Sequence, residues 1–164
     1  MTKALLVPVI ARKSLDNTYT YAGGTVSILL SGEDTGGEFS VWEAIQKPGG
    51  EPPLHVHHSN DETFLVLEGE MRFMVGDQVL DAPPGSVVFA PRGVPHTFRI
   101  KSPVARAMTI CTPAGFEKWF QELGRRAGGF DLPDDVEPFS PDALKKMLTL
   151  GRSLDTDIIR EVDF

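Results

Sequence analysis

Cysteine is almost absent from this chain of 164 residues, since Cys111 is the only one. An intrachain disulfide is therefore excluded, which is consistent with a reducing compartment. No stretch approaches the ~18 consecutive apolar residues of a membrane helix, and the opening segment lacks the features of a signal peptide. Lysine and arginine total 16 against 23 acidic residues, for a net charge of −7, and no basic stripe offers a nucleic-acid surface. These absences predict a cytoplasmic protein that binds neither nucleic acid nor membrane.

The remaining composition is that of a globule, with 41% hydrophobic residues. The length suits one domain over residues 1–164. From about residue 4 to 112, short β-branched and aromatic runs alternate with Gly/Pro turns, which predicts an all-β sandwich or barrel. The predicted strands are Thr25–Leu30, Phe39–Ile45, Phe64–Leu67, Met71–Val75, Ser86–Phe89, His96–Ile100 and Val104–Cys111.

The pattern becomes helical in the C-terminal segment, residues 113–164. One helix is predicted to begin after Thr112 and to end at Gly124, where a glycine suits a helix terminus. A second helix is predicted from Ser140 to Gly151. Its apolar face would carry Leu144, Met147 and Leu148. These helices are expected to cap the barrel as a short appendage.

Histidine is also scarce, and its placement is the most informative feature of the chain. Of the four histidines, His55 and His57 are two residues apart on a predicted strand, so their side chains share one face. Glu62 follows a short loop, and His96 begins a later strand. Three imidazoles and one carboxylate that converge can hold one divalent transition metal per chain. Sequence does not choose among Fe, Mn, Ni, Co, Cu and Zn.

An alternative ligand is Asp61, one residue before Glu62. The spacing back from Gly69, whose missing side chain suits a tight hairpin, favours Glu62 as the fourth ligand. His58 would point away from His57 on a regular strand, so we expect it at the surface or at an interface.

The two segments that carry these residues resemble the paired motifs of the cupin superfamily. The resemblance implies a small jelly-roll β-barrel over about residues 20–112, one metal ion held by the three histidines and Glu62, and commonly a homodimer. A departure occurs at Ile100, where the family often has an asparagine that is not a metal ligand. The matching positions are Gly49, His55, His57, Glu62 and Gly69 in the first motif, and Gly85, Pro91, Gly93 and His96 in the second.

A narrower resemblance is to small single-barrel cupins similar to quercetin 2,3-dioxygenase. It rests on the runs 50–70, 91–98 and 112–117, and on the helical tail after the barrel. It implies a metal-dependent dioxygenase that acts on a flavonol-like molecule or another enol. In that reaction Glu62 would be both a ligand and the general base for the substrate hydroxyl.

The substrate pocket is expected inside the barrel. Inward positions share the parity of the ligands on each strand, which selects Phe64 and Val66 beside Glu62, and Phe98 beside His96. An apolar, aromatic lining suits a flat organic substrate.

Two other functions remain open, because one fold hosts many activities. One is a different cupin metalloenzyme, such as an isomerase, decarboxylase or hydrolase, which polar or basic inward residues would favour. The other is a non-enzymatic barrel that binds a small molecule. A homodimer is expected in each case, because small barrels often expose a strand edge that a partner covers.

The remaining conspicuous residues are predicted to have structural roles. Arg92 is expected to stabilise a turn, although it could meet an anionic substrate. Trp42 and Trp119 are expected to pack in the core, and Cys111 to behave as a small buried residue. Solvated loop charges are expected at Glu33, Asp34, Asp134 and Asp135.

Overall fold

The computed structural model describes residues 6–134, 136 and 139–164. Two antiparallel sheets carry the jelly-roll arrangement. The larger has seven strands in the order β11-β1-β2-β3-β10-β5-β8. Its strands are β1 (Thr18–Tyr21), β2 (Gly24–Leu30), β3 (Ser40–Gln46), β5 (Asp61–Glu68), β8 (Val87–Ala90), β10 (Ala105–Thr112) and β11 (Arg125–Arg126).

The second sheet has five strands in the order β12-β4-β9-β6-β7. Strand β4 pairs with β9 through a single register pair, His55 with His96, and with β12 through a longer ladder. The strands are β4 (Leu54–His57), β6 (Met71–Val75), β7 (Gln78–Ala82), β9 (His96–Ile100) and β12 (Thr156–Arg160).

The described residues also form a 3-10 turn at Leu15–Asn17 and the helices α1 (Gly32–Thr35), α2 (Lys118–Leu123) and α3 (Pro141–Ser153). Ser140 caps α3, with its hydroxyl accepting a hydrogen bond from the Ala143 amide, as expected of a serine before a helix. Among the described residues, no helix has the length and apolarity needed to cross a membrane.

Two buried clusters form the interior. One lies between the sheets, because its members come from β5, β6, β7, β8, β9 and β10; they include Phe64, Val66 and Phe73. The other lies where α2 and α3 close the molecule against β1, β2 and β3, around Trp42, Trp119 and Met147. Trp42 and Trp119 are thus packing residues, as predicted.

The β-rich sequence from about residue 20 to 112 folds as predicted, with strand ends shifted by a few residues. Four strands were not predicted, namely β1, β7, β11 and β12. The helical C-terminal segment is confirmed by α2 and α3, but it also returns to the five-stranded sheet as β12. The barrel therefore includes a strand from the part of the chain that we expected only to cap it.

The start of the first C-terminal helix was predicted too early. Thr112 still belongs to β10, where it pairs with Asp61. Helix α2 begins only at Lys118, after Glu117 has accepted hydrogen bonds from the amides of Gly32 and Gly115. The strand pairing and these two bonds hold the intervening residues outside the helix.

The apolar face of α3 also differs from the prediction. Met147 is buried, but Leu144 and Leu148 are 47% and 49% exposed. The helix does not stop at Gly151 and continues to Ser153. Gly151 is instead buried, and a Cβ there would lie 3.0 Å from the Thr156 carbonyl oxygen, so its missing side chain permits close packing on β12.

Exposed loop charges were predicted at four acidic positions. Glu33, Asp34 and Asp134 are exposed. Glu33 and Asp34 lie in α1 rather than in a loop, where Asp34 accepts a hydrogen bond from the Ser31 amide at 2.8 Å. Asp135 lies outside the described residues, as do residues 1–5 of the opening segment.

Gly69 forms the tight turn between β5 and β6 that its motif predicts. Its φ is +75°, and a Cβ there would lie 2.2 Å from the Val104 carbonyl oxygen. Gly85 has a similar φ of +89°, but no atom lies within 4 Å of a Cβ built there. Of these two glycines, Gly69 alone is required for both its conformation and the close approach of another segment.

We expect Gly69→Ala to lower the free energy of unfolding by about 1–3 kcal/mol more than Gly85→Ala, because overpacking adds to the shared cost of a left-handed conformation. Urea unfolding of both variants measures the difference. Equal losses would show that the backbone at Val104 relaxes without cost.

Candidate metal centre

The four residues singled out by the sequence come together between the two sheets. His55, His57, Glu62 and His96 each offer a ligand atom, and these atoms all lie within 4.8 Å of one another. The ring centroids of His55 and His96 are 4.5 Å apart, and those of His57 and His96 are 5.3 Å apart. His57, Glu62 and His96 are 1%, 4% and 2% exposed. The cluster is thus a buried convergence of donor atoms.

Each ligand is placed by strand pairing. His55 and His57 alternate with Val56 on β4 and so project to one side, and the register pair with His96 sets β9 beside them. Glu62 comes from the other sheet, where β5 lies between β8 and β10. The site therefore bridges the two sheets, and both must be in register for it to form.

Hydrogen bonds at Nδ1 fix the orientation of all three rings. Nδ1 of His55 lies 2.8 Å from the Pro53 carbonyl oxygen, and Nδ1 of His96 lies 3.0 Å from that of Val94. A carbonyl oxygen only accepts, so these two rings carry the proton on Nδ1. In the neutral ring, the Nε2 lone pair then faces the cluster, which is the tautomer a metal ligand needs.

Burial and mutual proximity shape the charges in the cluster. Burial, helped by the neighbouring imidazoles, lowers the pKa of His55 to about 3. Burial alone would raise the pKa of Glu62, but the imidazoles of His57 and His96 outweigh it and hold that pKa well below its usual range. At neutral pH the cluster therefore offers a neutral His55 and an ionised Glu62.

The donor set fits a metal ion. Nε2 of His57 is buried and has no hydrogen-bond partner, an arrangement that costs free energy unless something else satisfies the atom. Nε2 of His96 and Nε2 of His57 lie 3.1 and 3.4 Å from the same Glu62 carboxylate oxygen. A cation between them satisfies these atoms together.

Asp61, the alternative ligand, does not join the cluster. Its carboxylate pairs with Arg92, whose Nη2 and backbone amide donate at 2.7 and 2.8 Å. These hydrogen bonds hold the pKa of Asp61 below its usual range. Arg92 therefore stabilises its turn, as expected, and Glu62 is the carboxylate of the site.

His58 lies on the outside, as its parity predicts. Its side chain is 46% exposed, and Nε2 lies 2.9 Å from an Asp157 carboxylate oxygen. Cys111 is fully buried, and burial raises the pKa of its thiol. Neither residue offers a ligand atom to the cluster.

A cavity of about 130 Å³ adjoins the metal cluster. His55 and Glu62 line it, together with Phe64 and Phe98, the two pocket candidates beside the ligands. Val66, the third candidate, belongs to the core cluster and is fully buried beneath the wall. The cavity extends beneath α2 and α3, where its wall is formed by Trp42, Phe116, Trp119, Phe120 and Met147.

The sequence reasoning missed Thr156, whose hydroxyl oxygen lies 2.8 Å from Nδ1 of His57. The β-branched run 156–159 is a signal for a strand, although it does not reveal where the strand docks. Thr156 and Ile158 also line the cavity. The C-terminal strand thus contributes to the site.

Replacement of His96 by alanine should remove most of the bound metal, because the cluster loses a buried ligand. His58→Ala and Asp61→Asn should retain it, since neither side chain reaches the cluster. Elemental analysis after reconstitution measures all three variants. Equal metal content in the wild type and His96→Ala would contradict the assigned site.

Comparison with known proteins agrees with this architecture. The model of the family described as "Cupin domain" matches residues 42–112, which contain all four cluster residues. Quercetin 2,3-dioxygenase of Bacillus subtilis is 27% identical over 135 residues, which cover 81% of this chain. The matched region is only 39% of the length of that relative.

Solved structures show the same fold. A protein from Thermotoga maritima described as a predicted oxalate decarboxylase superposes with a TM-score of 0.55 at 20% identity, covering 64% of this chain and 99% of the other. The cupin domain of Schizosaccharomyces pombe Cnp3 superposes with a TM-score of 0.52 at 17% identity, covering 66% and 78%. Residues 42–112 therefore match the cupin domain family, the solved structures show a cupin-like fold, and the chain is similar to quercetin 2,3-dioxygenase.

Proposed function

We propose that this protein is a metal-dependent dioxygenase of quercetinase type, which acts on a flavonol-like molecule or another enol. The observation that carries the proposal is the position of Glu62. Its carboxylate belongs to the metal cluster and also lines an apolar cavity. A substrate hydroxyl that enters this cavity therefore meets the metal ligands and a base together. The similarity to quercetin 2,3-dioxygenase of Bacillus subtilis supports the same proposed function.

The lining of the cavity favours a flat, weakly polar substrate. Aromatic side chains dominate its wall, and no lysine or arginine is among the described residues that line it. The carboxylate of Glu51, which also lines it, is occupied by the amides of Gly49 and Ile100. A strongly anionic substrate would find no counter-charge in that wall, whereas an aromatic enol packs against it.

The residues of the site would have separate roles in metal binding, proton transfer and substrate orientation. His55, His57, Glu62 and His96 would hold one divalent metal ion, which supplies Lewis acidity that favours the ionised form of an enol. Glu62 would accept the proton of the substrate hydroxyl. Phe64 and Phe98 would orient the ring, and the aromatic wall under α2 and α3 would limit the access of water to the electron-rich enolate. Dioxygen is the oxidant, and both of its atoms enter the products.

Oxygen uptake with quercetin and with smaller enols tests the proposal, on protein loaded separately with Fe, Mn, Ni, Co, Cu and Zn. We expect uptake in step with substrate loss for at least one metal. Glu62→Gln should reduce turnover per bound metal about 100-fold or more, since a general base contributes that much. Asp61→Asn is the matched control and should retain turnover.

A chain that binds near one metal and yet consumes no oxygen with any enol would contradict the dioxygenase and leave the metal centre intact. The same site would then serve another cupin metalloenzyme, such as an isomerase, decarboxylase or hydrolase. Binding of the small molecule without any turnover would instead identify a binding barrel.

We further propose a homodimer that buries the outer face of the larger sheet near β8. Val87 and Phe89 on this edge strand are 65% and 57% exposed, and Ile110 is 39% exposed. Phe89 and Ile110 both pair with Thr63 in the sheet, so the exposed side chains form one apolar patch. Such patches on soluble proteins mark interaction sites, and an edge strand gives a second copy a place to pack.

Light scattering should give twice the chain mass for the wild type. Phe89→Asp should reduce it to the monomer mass, because a buried charge without a partner disrupts an interface. Phe130, also exposed at 47%, provides the control, and Phe130→Asp should stay dimeric. A monomeric wild type would remove the proposal.

A further inference from the structure

Among the three histidines of the cluster, His57 depends on a distant residue for its orientation. His55 and His96 each use the carbonyl oxygen two residues earlier in their own segment. His57 instead contacts the hydroxyl of Thr156, which is 99 positions away along the chain. Thr156 is only 4% exposed, so water does not compete freely for this contact.

The direction of this hydrogen bond follows from the second contact of the hydroxyl. Oγ1 of Thr156 lies 3.1 Å from the Leu154 carbonyl oxygen, which can only accept, so the hydroxyl hydrogen is donated there. The oxygen then accepts the Nδ1 hydrogen of His57. Nε2 of His57, the buried atom without a hydrogen-bond partner, consequently presents its lone pair to the cluster.

The backbone places Thr156 at this point through β12. In the ladder between β12 and β4, Thr156 is opposite His57 and Ile158 is opposite His55. This ladder is longer than the single pair between β4 and β9, so β12 is the main neighbour of the strand that carries two ligands. The His58 amide reinforces the junction by donating to the Asp155 carbonyl oxygen at 2.9 Å.

We propose that Thr156 is a positioning residue of the metal centre, and that β12 contributes to the site by carrying it. The inference rests on the metal centre of the proposed function and is independent of the reaction that the centre catalyses. A hydrogen bond to the second nitrogen of a ligating histidine fixes its tautomer and raises its basicity, and removal of such a partner typically costs 10–100-fold in metal affinity. Ile158 and Thr156 also line the cavity, so the same strand borders both metal and substrate.

The paired variants Thr156→Val and Thr156→Ser separate the hydroxyl from the shape of the side chain. Valine keeps the branched shape and removes the acceptor, whereas serine keeps the acceptor. Titration with Co²⁺, followed by visible absorption, should show affinity weaker by roughly 10–100-fold for Thr156→Val. Thr156→Ser should stay near the wild type, and so should the control Thr149→Val, whose hydroxyl donates to the Lys145 carbonyl oxygen of its own helix.

Wild-type affinity in Thr156→Val would overturn the inference and leave the metal centre standing. Equal weakening by serine and valine would also overturn it, because packing would then account for the loss. A wild type that binds no Co²⁺ would instead reject the metal centre itself. Circular dichroism of each metal-free variant shows whether it is folded.

A second measurement needs no variant. Long-range ¹H–¹⁵N spectra of the zinc-loaded wild type report which ring nitrogen of each histidine carries the proton. We expect the His57 proton on Nδ1, as for His55 and His96. A proton on Nε2 of His57 would contradict the hydrogen bond on which the inference depends.

Discussion

Four buried donor atoms that face one another are the constraint on which the rest of this structure depends. Three imidazole nitrogens and a carboxylate oxygen lie within 4.8 Å of one another. Without a cation, the buried Nε2 of His57 has no hydrogen-bond partner. Such an arrangement lowers the stability of the fold unless a bound cation satisfies these atoms. A bound metal ion would satisfy these atoms. It would also link the two sheets, because Glu62 and the histidines lie on different sheets.

The chain maintains the arrangement by combining near and distant contacts. His55 and His96 are fixed by carbonyl groups two residues earlier, which the local turns supply. His57 is fixed by Thr156, which arrives only after the chain has crossed α2 and α3. Glu62 comes from the opposite sheet. The site is therefore complete only when the sheets and the C-terminal segment have all docked.

The sequence predicted the ligand cluster well because the relevant rules are local. Alternation along a strand puts His55 and His57 on one face, and the hairpin at Gly69 sets the distance back to Glu62. The same rule of alternation buries Phe64 and lines the cavity with it. It could not separate Val66, which lies in the core, from a residue of the cavity wall, because both side chains point inward.

The predictions that were wrong, or that were not made, concern contacts between distant segments of the chain. Thr112 looked like a helix cap, but its pairing with Asp61 keeps it in β10. Leu144 and Leu148 have helical spacing, but α3 packs through Met147 and Gly151 against Trp119 and β12. Thr156 has no local feature that marks it, because its role depends on a partner elsewhere in the chain. Periodicity identifies elements and faces, whereas docking determines which of those faces are used.

The most direct test of the central claim is a crystal structure of the metal-loaded protein, with anomalous differences collected at the absorption edge of the metal. The account predicts one peak per chain, about 2.0–2.2 Å from a nitrogen of each of His55, His57 and His96 and from a carboxylate oxygen of Glu62. The nitrogen is Nε2 in all three rings. A peak at His58 and Asp157, or coordination through Nδ1, would contradict it.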